Sequence, residues 1–282
     1  MLTLLHISDL HFGPPFLPRV GDALLKLAPK LAPQVIAVSG DLTQRAKAQQ
    51  FQAAREFIDQ LPPVPRVVVP GNHDVPLYRL RERLFAPHDL YRQYISDELN
   101  HVLQVPGAII VALDSTAPRH HITNGRIFRH QLDFCSQAFE NAPPDAARII
   151  VAHHHFAPAP DYQRDEVMPK SKRVMNHFIE LGVEMILGGH LHRGYIGNSL
   201  DFYPKANRHH GVIIVQCGTT TSRRGRARER EKNSFNLVQI MPEFLRITPY
   251  MFFDDTGAFE PVSRHIFPRL GRRLSHDSIQ PP

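Results

Sequence analysis

RVVVPGNHDV, residues 66–75, runs three valines into Pro70-Gly71 and then into Asn72-His73-Asp74. A short β-branched run closed by Pro-Gly reads as a buried strand with a sharp end. The next three side chains are an amide, an imidazole and a carboxylate, groups that ligate metals or move protons. The same event recurs along the chain. LTLLHIS (2–8) leads to Asp9-Leu10-His11, and QVIAVSGD (34–41) ends in Gly40-Asp41. RIIVA (148–152) leads to His153-His154-His155, and VEMILGG (183–189) to His190-Leu191-His192. In layered α/β proteins the crevice outside the carboxyl ends of strands is where ligands bind, so these clusters are expected to converge in space.

Between the apolar runs, hydrophobic residues recur at helical spacing over 19–32, 46–61, 77–95, near 129–141 and over 171–182. The segment 77–95 mixes Leu, Phe, Tyr and Ile with four arginines and predicts one amphipathic helix, facing the core, a homodimer partner or a membrane surface. The last third differs: 212–216, 236–240 and 245–252 read as antiparallel strands. Strand–helix alternation followed by a β-rich region indicates α/β layering around mixed sheets. One domain is expected over residues 1–260, followed by a basic C-terminal tail over 261–282.

The 282 residues include 33 Lys and Arg, 27 Asp and Glu, 18 His and 2 Cys, a net charge of +6. Two cysteines make neither a disulfide scaffold nor a thiolate zinc site, and the opening LTLLHIS has no basic stretch before it, so a cytoplasmic protein is expected. No apolar run reaches the ~18 residues of a membrane span. Residues 223–232 hold six basic and two acidic side chains. Without a basic helix or interleaved aromatics, that charge points to an anionic ligand rather than to nucleic acid.

The ordered motifs Asp9-x-His11, Gly40-Asp41, Gly71-Asn72-His73-Asp74, His153 and Gly189-His190-x-His192 resemble the calcineurin-like metallophosphoesterase superfamily over about residues 3–192. In appearance they are most similar to its bacterial class III cyclic-nucleotide phosphodiesterases. The resemblance implies a four-layer α-β-β-α sandwich of two mixed sheets, with a dinuclear metal site at the strand C-terminal ends. It also implies one metal on Asp9, His11 and His192, a second on Asn72, His153 and His190, and Asp41 bridging both. His154 is the rival to His153. Carboxylate, imidazole and amide donors suit Mn or Fe, and also Zn. A hydroxide bridging the two ions would then attack the phosphorus of a phosphodiester. By the same pattern His73 stabilises the phosphate or protonates the leaving oxygen, and Asp74 either orients its ring or caps a turn. His120, His121, Arg223, Arg224 and Arg226 are the substrate-side candidates. The expected function is hydrolysis of a phosphodiester such as a 3',5'-cyclic nucleotide. Alternatives on the same scaffold are a UDP-2,3-diacylglucosamine pyrophosphatase of lipid A synthesis and a non-specific phosphatase or nuclease. A scaffold protein on a decayed fold would have lost ligands, and all seven are present.

Overall fold

Strands covered on both faces carry unbroken apolar runs, and the alternation within each run decides which layer each side chain fills. In β1 (Leu2–Ile7), Leu5 and Ile7 pack with helical residues while Leu2 and Leu4 enter a second cluster between two sheets. The same split holds in β2 (Val35–Val38) and in β5 (Ala108–Leu113). This computed structural model describes residues 1–120, 123–159, 167–203, 211–225 and 232–274.

In the first sheet β1, β2 and β3 (Arg66–Val68) are parallel. Antiparallel β10 (Ser234–Ile240), β11 (Phe244–Phe253) and β12 (Ala258–Pro261) extend it beyond β1, and β13 (His265–Pro268) adds to β11. The second sheet has parallel β5, β6 (Ala147–Ala152), β7 (Met185–Gly188) and β9 (Ile213–Gln216). Antiparallel edges β4 (His101–Val105) and β8 (Tyr195–Asn198) flank it. Helices α1 (Pro18–Leu27) and α2 (Ala48–Asp59) cover the first sheet through Val20, Leu24, Phe51 and Phe57. Helices α5 (Arg129–Glu140) and α6 (Ser171–Glu180) cover the second through Leu132, Phe139, Met175 and Phe178. The fold is the expected four-layer sandwich. Register pairs Ile7 with Val38, Val38 with Val68, and Val151 with both Ala112 and Leu187, so the parallel strands of each sheet finish nearly level.

Several elements differ from the sequence reading, each for a local reason. The helix expected over 19–32 stops at Leu27, and Ala28–Leu31 continues as a 3-10 turn, because Pro29 has no N–H to continue the ladder. The single helix expected over 77–95 is two, α3 (Leu80–Phe85) and α4 (Asp89–Tyr94), with Pro87 between them. Only α4 meets the core: Tyr91 is fully buried and its hydroxyl donates to the Val68 carbonyl at 2.9 Å. No residue of α3 is buried, and Tyr78, Leu80 and Phe85 are 74%, 57% and 79% exposed. Strand 212–216 is antiparallel to β8 but parallel to β7. The chain also stays in the fold past residue 260. Beyond β13, buried Arg269 pairs with Glu184 through Nε–Oε2 at 3.0 Å and Nη2–Oε1 at 2.8 Å. A short helix α7 (Ser199–Phe202) follows β8. No helix of the described residues is long and apolar enough to cross a membrane.

Candidate dinuclear metal centre

Five strand ends meet at one edge of the two sheets, and the backbone there is unusual. Eight non-glycine residues among those described have positive φ, and five of them are Asp9, His11, Asp41, His190 and His192. Left-handed backbone turns each of these side chains back over the strand that delivers it, at a cost of roughly 1–2 kcal/mol per residue. Two glycines allow the loops to close on one another. A side chain at Gly71 would collide with the Asp41 backbone and carboxylate, and one at Gly189 with Ser8 and Asp9.

The geometry resolves into two neighbouring clusters. His11 Nε2 and His192 Nε2 are 2.9 Å apart, with Asp9 Oδ1 at 3.6 and 3.2 Å from them and Asp41 Oδ2 at 3.6 Å from His11. On the other side, Asn72 Oδ1 lies 3.1 Å from His153 Nε2 and 2.9 Å from His190 Nδ1, and Asp41 Oδ1 lies 3.4 Å from His153. Asp41 thus faces both clusters, one oxygen to each. Three imidazoles turn Nε2 inward and His190 turns Nδ1. Asp9 Oδ1 and Asp41 Oδ2 are buried without a hydrogen-bond partner among the described residues. Buried carboxylate oxygens without hydrogen-bond donors, facing several imidazole nitrogens, suit cations. The residues present therefore suit two N/O-ligated divalent ions.

Electrostatics agree. Burial alone would raise the Asp9 and Asp41 carboxyls, but the facing histidines hold both well below the usual range. Burial pulls His11 down to about 4 and puts His190 well below its ordinary value, the latter aided by neighbouring histidines. His153 is the exception: burial opposes its charge, yet Asp41 outweighs that and lifts it to about 9. Its Nδ1 meets the Ser39 carbonyl at 2.8 Å, so Nδ1 donates and Nε2 is the nitrogen available inward. His154 stays close: one of its ring nitrogens lies within 4.8 Å of ligating nitrogens of His153 and His190, so it remains the rival donor on that side. Its Nδ1 is 2.8 Å from Ser115 Oγ and its ring packs 4.8 Å from His190, leaving Nε2 buried without a hydrogen bond.

His73 stands at the rim, its ring 4.9 Å edge-on from His11. Its Nδ1 donates to the Gln44 carbonyl at 3.0 Å, which leaves Nε2 as the acceptor of the neutral ring, 3.0 Å from Arg224 Nη1. Burial first, then Asp41 opposing and Arg224 assisting, leaves His73 below its ordinary value, hence neutral near pH 7. The ring is oriented by Gln44, and of the two roles the sequence left open for Asp74 its contacts match the turn cap. Asp74 is a clasp: its carboxylate accepts from the N–H groups of Leu42, Thr43 and Gly71 and from the Thr43 hydroxyl, at 2.8–3.1 Å. Of the arginines, Arg224 joins the site and also donates to Gln44 Oε1 at 3.0 Å, whereas exposed Arg223 donates to the Pro14 carbonyl. Arg226 and His121 lie outside the described residues. His120 lines a neighbouring cavity and has no contact with the clusters above.

Supports invisible in the motifs hold the first loop. Thr219 and Thr221 hydroxyls donate to the carbonyls of Asp9 and Leu10, at 2.8 and 3.0 Å, and Thr220 N donates to Ser8 O. These donors come from the Gly218-Thr-Thr-Thr-Ser run after β9.

Fold and site together define a metal-dependent phosphoester hydrolase. The calcineurin-like phosphoesterase family profile matches residues 2–194, and the chain belongs to that family. It is 28% identical over 300 residues to the cAMP/cGMP dual specificity phosphodiesterase of Mycobacterium tuberculosis (strain CDC 1551 / Oshkosh), covering 98% of this chain and 86% of that one. Among solved structures, the purple acid phosphatase of yellow lupin (Lupinus luteus) seeds shares the fold at TM-score 0.71 and 12% identity. This chain is covered completely in that match but spans only 56% of the lupin enzyme. A dimetal phosphatase from Danio rerio matches at TM-score 0.64 and 12% identity, over 95% of this chain and 99% of that one.

Proposed function

We propose that the protein hydrolyses a phosphodiester, with a 3',5'-cyclic nucleotide as the substrate class. One observation carries this choice within the family. The similarity to a cAMP/cGMP phosphodiesterase runs through nearly the whole of both chains, beyond the motifs that all such hydrolases need. The seven residues Asp9, His11, Asp41, Asn72, His153, His190 and His192 would hold two ions, Mn or Fe by donor chemistry and Zn as well. Such a pair, when bound, supplies a nucleophile at neutral pH and neutralises charge on the phosphoryl oxygens.

The chain's own groups do the rest. Asp41 sets the spacing of the two clusters by facing both. Arg224 brings a guanidinium to the rim beside His73, where it would meet a phosphate oxygen. Drawing Arg224 onto the substrate frees His73 Nε2, and the incoming negative charge favours the imidazolium, which can then protonate the leaving oxygen. The loop clasp of Asp74 keeps His73 and Asp41 in register: His73 N donates to Asp41 Oδ1 at 2.8 Å.

The test is a substrate panel on metal-loaded protein: cyclic AMP, UDP-2,3-diacylglucosamine in detergent, p-nitrophenyl phosphate and single-stranded DNA. The proposal expects cyclic AMP turnover to exceed that of the others by at least tenfold in kcat/KM. Preferred cleavage of the lipid-linked nucleotide would transfer the assignment to the pyrophosphatase.

A further inference from the structure

The loop after β5 lines a cavity of about 390 Å³ with no role in the chemistry above. That size falls in the range of small-ligand pockets, roughly 300–1,000 Å³. Leu99, Phe128 and Pro87 give it apolar walls, with the His130 ring lying parallel to Phe128 at 5.9 Å. Its floor is a polar array held in place by its own bonds. Gln131 Nε2 donates at 2.7 Å to both Asn100 Oδ1 and the Asp114 carbonyl, and its Oε1 accepts from Phe128 N at 2.9 Å. Asn100 Oδ1 also accepts from Asp114 N at 3.0 Å.

Two groups are left over. With the Asn100 oxygen committed to two donors, its NH₂ has no partner among the described residues. Asp114 commits Oδ1 to Thr116 N at 2.8 Å, while Oδ2 lies 3.5 Å from His88 Nε2, a nitrogen closer, at 2.9 Å, to Thr116 Oγ1. The cavity therefore offers one fixed donor and one fixed acceptor between apolar walls. Every nucleobase carries the complement on one planar edge, an N–H beside a ring nitrogen or carbonyl acceptor. Planar rings held between apolar and aromatic side chains, with edge atoms hydrogen-bonded, are how proteins hold single bases.

The location fits the proposed substrate. Asp114 and Thr116 face the cavity, and Ser115 between them bonds His154, whose ring packs on His190. Two fully buried side chains, Ser115 and His154, thus tie the cavity wall to the metal-side histidine and hold it in a fixed position beside that residue. We infer that the Asn100–Asp114 cavity is the nucleobase subsite of this enzyme, a reading that rests on the proposed nucleotide substrate and identifies where its base is held.

The test uses nucleosides, which lack the phosphate that the metals would grip. Adenosine, guanosine and uridine are titrated calorimetrically into metal-loaded wild type, Asp114→Asn and Asn100→Asp. Each substitution keeps the side chain's shape and the internal bond to Thr116 N or Asp114 N while reversing the group offered to the base. Thermal melting checks that both variants fold. At least one nucleoside should bind wild type, and each variant should weaken it at least tenfold. In turnover, the variants should raise KM for the nucleotide at least tenfold more than KM for bis-p-nitrophenyl phosphate, which has no base. Absence of nucleoside binding, or equal losses on both substrates, overturns the subsite. Its failure is distinct from failure of the proposed function. Cyclic AMP hydrolysis with equal KM in wild type and variants would sink the subsite alone. Nucleoside binding weakened by the variants, in a protein inactive on cyclic AMP, would uphold the subsite and sink the proposed substrate.

Discussion

His73 shows how one ring takes its role from its surroundings. The Gln44 carbonyl fixes its tautomer, Arg224 occupies its free nitrogen, and burial keeps it neutral without substrate. None of its atoms lies among the clustered donors, so a ligand role is not what the geometry supports. For His73→Ala, turnover should fall by about 10²–10⁴, the range for losing a proton-transfer group, while elemental analysis finds the metals retained. Loss of metal in that variant would make His73 a ligand instead. The residues at strand ends were legible in the sequence because each follows an apolar run and a glycine or a sharp turn. Gln44, Ser39 and Thr219 were not, because they act through backbone carbonyls or on them, and such contacts leave no mark in residue type. The choice between the two roles of Asp74 was hidden for a related reason. Sequence adjacency suggested it served His73, yet its carboxylate reaches across to the loop after β2.

At the scale of elements, the loops after β2 and β3 behave as one unit through that carboxylate. Burial, and then the Asp41 charge, lift the Asp74 carboxyl to about 7, and deleting it leaves three buried N–H groups without this acceptor, at about 1–3 kcal/mol each. Asp74→Ala should lower the unfolding free energy by on the order of 3 kcal/mol in denaturant titration, with weaker metal retention. A change below ~0.5 kcal/mol would show the clasp to be incidental. The central parallel strands were readable because burial on both faces makes them continuous apolar runs. The edge strands β4 and β8 escaped notice because HVLQV and YIGN are only half-buried and carry no such run. Helix lengths were overestimated wherever a proline interrupts the periodicity, at Pro29 and again at Pro87.

Across the whole molecule, two independent sheets deliver ligating side chains to one edge: Asp9, His11, Asp41 and Asn72 from the first, His153, His190 and His192 from the second. Contacts between the two sheets join the donors, since His11 meets His192 and Asn72 meets His153 and His190. The intersheet core of Leu4, Ala37, Ile110, Val151 and Leu187 fixes their separation, which is why packing far from the site matters to it. This pairing of halves could be inferred from the motif order, but the loop clasps and the base-sized cavity required the fold. The account stands on two neighbouring clusters that share Asp41 and would hold one ion each. Elemental analysis of wild type and Asp41→Asn, paired with hydrolysis of bis-p-nitrophenyl phosphate, tests this most directly. Two ions per wild-type chain, with fewer ions and turnover down by at least 10³-fold in a folded Asp41→Asn, is the predicted result. One ion or none in active wild type, or unchanged turnover in Asp41→Asn, would contradict it.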